Sequence, residues 1–212
     1  MRRVCVFIVA ICAVMMTACI ERRIPSGADE EFVSILKAAE KGDADSMFQV
    51  AYYLANGRHV SQNLAASWKW FNKAAEMNHA DAMNCIGVSY RDGIYVEQDY
   101  KKAKDWLLKG LEADRFNHVI LANLAWTYAV GFHDFRNAHR FADMAVQLEP
   151  RNLFALGVKG RICLMQDDLD GVRLYWKKCD KLKPHYIMSN APFAKAIRAY
   201  VDSIKALNQQ QK

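Results

Sequence analysis

Residues 39–111 contain one pattern twice, with the two copies separated by 36 residues. The first copy opens with the run AEKGDADSM and the second with the run AEMNHADAM. The same offset aligns Gly57 with Gly93 and Val60 with Val96. A fixed period between roughly 20 and 50 residues is typical of proteins built from stacked repeats. Because one unit of this size cannot bury its apolar face alone, the duplication predicts neighbouring units that pack against each other.

Each copy predicts a hairpin of two helices joined by a short loop. Helices A and B are expected at Ala44–Asn56 and Asn63–Met77 in the first copy, and at Ala80–Asp92 and Asp99–Ala113 in the second. Both loops have the form Gly-x-x-Val-x-x-Asn/Asp. The glycine permits a left-handed turn, the valine fills the top of the hairpin, and the last residue caps helix B. A helix over Phe32–Lys41 is expected to cap the N-terminal end.

This duplicated pattern resembles the Sel1-like repeat, a branch of the tetratricopeptide (TPR) superfamily. The residues that carry the resemblance in the first copy are Ala39, Gly42, Ala44, Met47, Ala51, Gly57, Val60, Asn63, Trp70, Lys73, Ala74 and Ala75. The resemblance implies an all-α fold, a right-handed superhelical solenoid of about four antiparallel helix hairpins. The N-terminal cap and the two Sel1-like repeats are assigned to residues 32–112.

Two further units, over residues 113–184, are similar to the tetratricopeptide repeat itself. In the third unit, the run LAWTY from Leu124 lies on the expected helix A, and Pro150 follows helix B. The fourth unit repeats the helix B pattern 34 residues later, which is the tetratricopeptide period. Asn152 is expected to cap its helix A. Residues 185–212 are then assigned to a C-terminal capping helix and tail.

Three columns of small residues support this register. They are Ala51, Gly87, Ala125 and Gly160 on helix A, with Ser67, Ala103, Ala138 and Val172, and Ala74, Gly110, Ala145 and Cys179, on helix B. Small side chains allow paired helices to approach closely. An aromatic column on helix B is interpreted as core that fills the gap between consecutive repeats. Its members are Trp70, Trp106, Phe141 and Tyr175.

The first 18 residues have the features of a lipoprotein signal peptide. Arg2 and Arg3 precede an apolar run, Val4–Met16, that is too short to span a bilayer comfortably. The following Met-Thr-Ala-Cys resembles the lipobox of bacterial lipoproteins, with Met in place of the usual Leu. The resemblance implies cleavage before Cys19, lipidation of Cys19 and, because Ile20 follows, an outer-membrane location facing the periplasm. Ordinary secretion is the alternative.

The charge of the chain is unevenly distributed. The formal net charge is +6, and residues 171–212 contain nine Lys or Arg against two Asp. This basic end is interpreted as a solvated last helix, or as a docking face for an acidic partner or anionic lipid headgroups. Residues 19–31 are polar and are assigned to a lipidated tether. The predicted periplasmic location argues against nucleic acid as a partner.

The sequence offers no convincing catalytic or metal-binding motif. The six histidines are scattered, without a helical pair accompanied by a carboxylate. Ser34 and Lys37 match the Ser-x-x-Lys motif of serine β-lactamases, but the companion motifs are missing. Cys163 and Cys179 are expected at different heights of one hairpin and are interpreted as buried thiols. We therefore expect a non-catalytic protein without a cofactor or a metal.

A groove lined by helix A of each unit is the candidate binding surface. Positions beside the small column on helix A supply the candidate protein-binding residues Phe48, Tyr52, Asn84, Val88, Arg91, Trp126 and Arg161. Aromatic and arginine side chains are common anchors of protein interfaces. The alternative for each residue is that it packs against the neighbouring helix A.

These patterns favour a non-catalytic scaffold that is anchored by lipid and presents a concave groove to one or more proteins in the periplasm. An immunity protein that neutralises a periplasm-acting secreted toxin, such as a type VI secretion phospholipase, is the alternative, because some Sel1-like lipoproteins have that role. A cell-wall or β-lactam hydrolase that uses Ser34 is the third hypothesis.

Overall fold

The chain has an all-α repeat fold in the computed structural model, which describes residues 24–183. Within that range there are nine helices and no strand: α1 (Glu30–Glu40), α2 (Ala44–Asn56), α3 (Leu64–Glu76), α4 (Ala80–Asp92), α5 (Tyr100–Ala113), α6 (His118–Phe132), α7 (Phe135–Leu148), α8 (Leu153–Met165) and α9 (Leu169–Leu182). The prediction of an all-α repeat fold is confirmed. The predicted signal peptide, Cys19 and the predicted cap over residues 185–212 lie outside the described residues.

The predicted hairpin helices occur within one residue of their expected bounds, because the capping residues fix where each helix begins. Asp43 and Asn63 accept backbone hydrogen bonds from residues three positions on, at 2.8 and 2.9 Å. Asp99 does the same for α5 at 2.9 Å. Gly57 and Gly93 have φ angles of 66° and 70°, in the left-handed region that glycine adopts without steric cost.

The chain forms two compact units, and the boundary between them falls inside α4, after Ala82. In the first unit, α1 packs on α2 and α2 packs on α3. In the second unit, each helix from α5 to α9 packs on the next, and α6 also packs on α8. No helix in the described part of the chain is both long enough and apolar enough to cross a bilayer.

All three small-residue columns are buried, as the register predicts. In the first unit, the buried hydroxyl of Ser67 donates a 2.7 Å hydrogen bond to the carbonyl oxygen of Ala51. In the second unit, a Cβ atom added at Gly87 would lie 2.7 Å from Cγ of Leu107 and 3.1 Å from the carbonyl oxygen of Ala103. The paired helices therefore approach until side chain and backbone are in direct contact.

The aromatic column is only partly in the core, which corrects the prediction. Phe141 is buried, whereas Trp70, Trp106 and Tyr175 are half-buried. In the first unit the core position is filled instead by Phe71, the next residue along α3. Consecutive residues on a helix point about 100° apart. A shift of one position therefore exchanges a core site for a site at the edge of the core.

Lysine side chains cover the half-buried tryptophans. The ammonium of Lys73 lies 4.2 Å from the centroid of the Trp70 ring, and that of Lys109 lies 4.6 Å from Trp106. Both pairs have the i, i+3 spacing that brings side chains together on a helix surface. The repeat therefore conserves between its two copies a cation–π pair rather than a buried ring.

The described end of the predicted tether is fastened to the loop of the first hairpin. The backbone N–H of Asp29 donates to the carbonyl oxygen of His59 at 2.9 Å, and the N–H of Ser61 donates to Ser26 at 3.0 Å. The side chains of Asp29 and His59 also meet, with Oδ2 and Nδ1 2.6 Å apart. Because α1 begins at Glu30, the last residues assigned to the tether belong to a folded element.

Cys163 and Cys179 are free thiols within an apolar cluster of the second unit. Burial raises the pKa of each thiol to about 11, and for Cys163 the nearby Asp168 adds to the effect. Both residues therefore serve as small apolar side chains, as the sequence suggested.

The first prediction concerns acid pH. Five helices of the described chain have capping carboxylates whose pKa values are lowered from 3.8, chiefly by hydrogen bonds at the cap: those of Asp29, Asp43, Asp99, Asp134 and Asp168. Each of these carboxylates has a lower pKa in the folded protein than in the unfolded chain. Its stabilisation is therefore complete above the unfolded-state pKa and is lost as the pH falls through the folded-state pKa. Unfolding by urea, followed by circular dichroism, should show declining stability between about pH 5 and pH 2.

The variant Asp99→Asn isolates one of these caps. It introduces the residue that the first copy carries at Asn63, and asparagine caps helices about as well as aspartate. We expect unchanged helicity at neutral pH and a weaker loss of stability in acid. A pH dependence identical to that of the unsubstituted chain would contradict this role for Asp99.

Candidate protein-binding surface

The seven predicted groove residues fall into two sets, one in each unit. Phe48 and Tyr52 lie on α2 in the first unit. The other five lie in the second unit: Asn84, Val88 and Arg91 on α4, Trp126 on α6 and Arg161 on α8.

In the first unit, Phe48 is a packing residue and Tyr52 is exposed. The ring of Phe48 stacks on His79 with centroids 4.7 Å apart, and it tilts against the buried Phe71 at 5.8 Å. His79 in turn lies 3.2 Å from the carboxylate of Asp45. Tyr52 retains 47% of its surface accessible. Of these two predicted contacts, the structure therefore leaves Tyr52 accessible to a partner.

The second unit brings Trp126 and Arg161 together. The guanidinium carbon of Arg161 lies 3.5 Å from the centroid of the Trp126 ring, and both side chains are half-buried. The two residues belong to helix A of consecutive repeats, and those helices, α6 and α8, pack directly on each other. A cation–π interaction at this distance holds the guanidinium over the face of the indole, and its N–H groups can still donate hydrogen bonds.

Asn84 and Arg91, in contrast, are buried in a polar network centred on Asn123. The amide nitrogen of Asn123 donates to Oδ1 of Asn84 at 2.8 Å, and its oxygen accepts from Nη1 of Arg91 at 2.9 Å. Arg91 also donates to both carboxylate oxygens of Asp92, at 2.7 and 2.8 Å. Asn84, Asn123 and Arg91 are 9%, 4% and 8% exposed. Asn84 and Arg91, which the sequence placed in the groove, therefore join α4 to α6. This is the alternative in which the residue packs against the neighbouring helix A.

Asn123 is the residue that the sequence interpretation overlooked. It is the one polar amide inside the otherwise apolar run ILANLAW of α6, two positions before the small residue Ala125. A buried amide must find partners for its donors and its acceptor, so its presence in an apolar helix was the available signal. What the sequence could not show was which residues of α4 would be those partners.

Arg161 carries the main electrostatic feature of this surface. Burial lowers the pKa of its guanidinium, and the nearby charge of Arg91 adds to that effect while Asp92 opposes it. No carboxylate among residues 24–183 forms an ion pair with Arg161. Arg161 is therefore a partly desolvated cation that is oriented by an aromatic ring and can bind an anionic group. Val88, the remaining predicted residue, is half-buried on α4.

The other residues considered for chemistry do not assemble a site. Ser34 and Lys37 are both exposed on α1. Between residues 24 and 183 there is no group of three or more His, Cys, Asp or Glu that could hold a metal ion. The buried Lys159 is paired with Asp143, its Nζ 2.6 Å from Oδ1.

Comparison with known proteins identifies the repeats. A family profile described as the Sel1 repeat matches residues 44–79 and 80–114. The first of these segments begins at the first residue of α2 and the second at the first residue of α4. No curated protein matches the chain.

Several solved structures are similar to the chain. A Sel1 repeat protein from Oxalobacter formigenes is 25% identical, with a TM-score of 0.59 over 71% of this chain and 61% of its own. A protective antigen of uropathogenic Escherichia coli with an SLR fold is 21% identical, with a TM-score of 0.60 over 72% and 33%. The first TPR of Spaghetti (RPAP3), bound to an HSP90 peptide, is 22% identical, with a TM-score of 0.48 over 57% and 93%.

The chain therefore contains two Sel1 repeats within an all-α repeat fold similar to that of Sel1-type structures. It spans less than two thirds of the length of both Sel1-type structures. This architecture generally serves protein–protein interaction, and Sel1 repeat proteins are typically non-catalytic scaffolds.

The second prediction tests the buried network. Asn123→Ala leaves Asn84 and Arg91 buried without their shared partner, which costs about 1–3 kcal/mol of stability for each unsatisfied buried group. Urea unfolding followed by circular dichroism should show this loss. The matched control is Asn56→Ala, which removes an exposed amide that bonds only within its own helix. The control should change stability by less than about 0.5 kcal/mol. Equal effects of the two variants would contradict the network.

Proposed function

We propose that this protein is a lipid-anchored periplasmic scaffold that binds a partner protein at Trp126 and Arg161. The observation that carries the proposal is the stacked arginine–tryptophan pair, 3.5 Å from guanidinium carbon to ring centroid, on adjacent helices of a repeat fold that generally binds proteins. Tryptophan and arginine are the residue types most enriched among the energetic centres of protein interfaces.

Two properties make the pair suitable as an anchor. The stacking fixes both side chains before a partner arrives, so binding loses less side-chain entropy than it would with two free side chains. Arg161 is also partly desolvated and lacks an ion pair within the described chain. An acidic side chain from the partner would restore its electrostatic balance, at a site where water competes less than at an open surface.

The proposed location follows from the sequence. The apolar leader and the lipobox-like residues before Cys19 support lipid attachment, and Ile20 supports the outer membrane. The described chain adds that residues 26–29 are hydrogen-bonded to the first hairpin. An anchor at Cys19 would therefore hold the first unit close to the membrane surface.

The third prediction tests this location. Cys19→Ser removes the sulfur that would carry the lipid and with it the cleavage signal, so the chain should no longer reach the outer-membrane fraction. Fractionation with immunoblotting measures the change, and mass spectrometry of the unsubstituted chain should show acyl groups on its N-terminal residue. Cys85→Ser is the control, and its distribution should not change. Outer-membrane association that survives Cys19→Ser would contradict the lipid anchor.

An immunity protein, which belongs to another functional class, is the alternative. It predicts one toxin that binds tightly and with fixed stoichiometry, whereas an envelope scaffold would engage several assembly proteins. Affinity capture separates the two, with residues 20–212 as bait in an envelope extract that also contains the organism's secreted effectors. One dominant toxin retained in high salt would favour immunity, and a set of envelope proteins would favour the scaffold. Capture of no protein would contradict both.

The fourth prediction assigns the contact. Trp126→Ala and Arg161→Glu should each weaken binding of the captured partner by about tenfold or more, because each removes one half of the anchor. Isothermal titration calorimetry measures the affinity, and circular dichroism checks that the helices persist. The matched controls are Trp176→Ala and Arg136→Glu, which change exposed residues on α9 and α7. Folded Trp126 and Arg161 variants that bind like the controls would place the interface elsewhere.

A further inference from the structure

One face of α8 stays accessible in the described chain, although α6, α7 and α9 all pack on this helix. The accessible residues recur every three or four positions, so they lie on the same side of the helix. The other residues of α8 are buried. We call this face the α8 stripe, and its members are Leu153, Phe154, Gly157, Arg161, Leu164 and Met165.

Gly157, near the middle of the α8 stripe, has no packing role within the described chain. A Cβ atom added at Gly157 would meet no described atom within 4 Å, apart from the backbone of its own helix. By contrast, a Cβ atom added at Gly131 on α6 would lie 2.5 Å from Cγ of Tyr100. Glycine in a helix interior lowers stability relative to alanine. The glycine at position 157 therefore weakens α8 without improving its packing, as expected of a residue kept for contact with another molecule.

The α8 stripe combines a cation with apolar ends. Arg161 lies one turn after Gly157, and its guanidinium carbon is 3.5 Å from the centroid of the Trp126 ring. No carboxylate of residues 24–183 forms an ion pair with Arg161. Phe154 and Met165, towards the two ends of the stripe, are 40% and 38% exposed. Apolar anchors about three turns apart, with a charge between them, fit the spacing of side chains on an amphipathic helix.

On the preceding repeats, the same face of helix A is covered by another helix. Asn84 has the repeat position of Gly157, three residues before the small column, and it accepts a hydrogen bond from Asn123 on α6. Trp126 has the repeat position of Arg161, and Arg161 of α8 covers it. The last described helix, α9, packs on α8 as its helix B. A further helix on the α8 stripe would therefore continue the stacking.

Charge favours another protein as the source of that helix. Residues 184–212 of this chain contain four Lys or Arg and one Asp. A basic segment would place like charges beside Arg161, which is unfavourable where the guanidinium is partly desolvated. An acidic helix would instead supply the missing counter-charge.

We propose that the α8 stripe binds an amphipathic helix of the partner protein, with an acidic residue of that helix paired to Arg161. Apolar residues of the helix cover Phe154 and Met165, and its backbone crosses α8 closely at Gly157. This inference deepens the proposed contact at Arg161 and rests on it. Gly157 is then a specificity-determining residue, because the distance between two packed helices is set by the side chains at their crossing.

The fifth prediction uses a probe that does not depend on a natural partner. A phage-displayed library of small three-helix proteins, with one helix face randomised, is selected on residues 20–212, which keep every described residue. We expect the enriched helices to carry Asp or Glu between apolar residues. The best binder should lose about tenfold or more in affinity for Arg161→Glu and none for the control Arg136→Glu. No enriched binder, or enriched binders without an acidic residue, would overturn the proposal.

Gly157→Ala separates a binding role from a structural one. Alanine favours a helix interior and its methyl group has room, so the midpoint of urea unfolding should shift to higher urea. The affinity for the selected binder should fall by about tenfold, because the methyl group holds the crossing helix away from α8. Gly131→Ala is the matched control. Its methyl group meets Tyr100, so the urea midpoint should fall while the affinity is unchanged. Unchanged affinity of Gly157→Ala would overturn the proposal.

Residues 184–212 are the rival occupant of the α8 stripe. Gly157→Cys, combined with Cys85→Ser, places a thiol in the gap, and Cys85→Ser alone measures the background from the buried Cys163 and Cys179. The new thiol should react with iodoacetamide in the free chain, and the selected binder should slow this reaction by about tenfold or more. A thiol that does not react in the free chain would mean that the chain itself covers the stripe, which would overturn the proposal.

These tests can fail independently of the proposed function. If the captured partner requires Arg161 but binds Gly157→Ala normally, the protein contact stands and the helix proposal fails. If the selected binders require both residues while no protein is captured from the envelope, the α8 stripe stands as a helix-binding surface and the scaffold proposal fails.

Discussion

Close approach of paired helices at the small-residue columns is the constraint on which the rest of the fold depends. The hydroxyl of Ser67 reaches the backbone of the facing helix at Ala51, and Gly87 leaves no room for a Cβ atom beside Leu107. At Gly87 the side chain of the buried Leu107 packs directly on the facing helix. Trp70 and Trp106 are half-buried at the edge of the core, where Lys73 and Lys109 cover them in both copies.

The same constraint divides the polar residues of helix A into two groups. Where α4 meets α6, Asn84, Asn123 and Arg91 are enclosed and satisfy one another. Such a network is costly unless it is complete, so it specifies one pairing of the two helices over shifted alternatives. Between α6 and α8, Trp126 and Arg161 also meet across neighbouring helices, but both side chains remain half-exposed. Polar residues of helix A thus join neighbouring helices in one place and form accessible surface in the next.

The sequence predicted what depends on local chemistry. The bounds of the hairpin helices in the two repeats were correct to within one residue because Asp43, Asn63 and Gly57 act on backbone groups only a few positions away, whereas α1 begins two residues before its predicted start. Burial of the aromatic column was predicted correctly for Phe141 and wrongly for Trp70, Trp106 and Tyr175, because a periodic pattern places a residue on a face but leaves its rotation toward the core to tertiary packing. The contacts of the candidate site were beyond prediction for a related reason. Asn123 joins residues 32 and 39 positions away, and which of several polar side chains meet over such separations depends on how the helices dock.

The fastening of residues 26–29 to the first hairpin also determines how mechanical force would enter the molecule. A pull applied N-terminal to Ile24 would first load the hydrogen bond between Ser61 and Ser26, and then the bond between Asp29 and His59. Tension would therefore pass into the loop between α2 and α3 before it reached the end of α1. The loop is closed by the buried Val60 and by a helix cap at Asn63. A chain tethered in this way resists being unravelled from its tethered end, because the strained segment is supported by a hairpin and not by a single terminal helix.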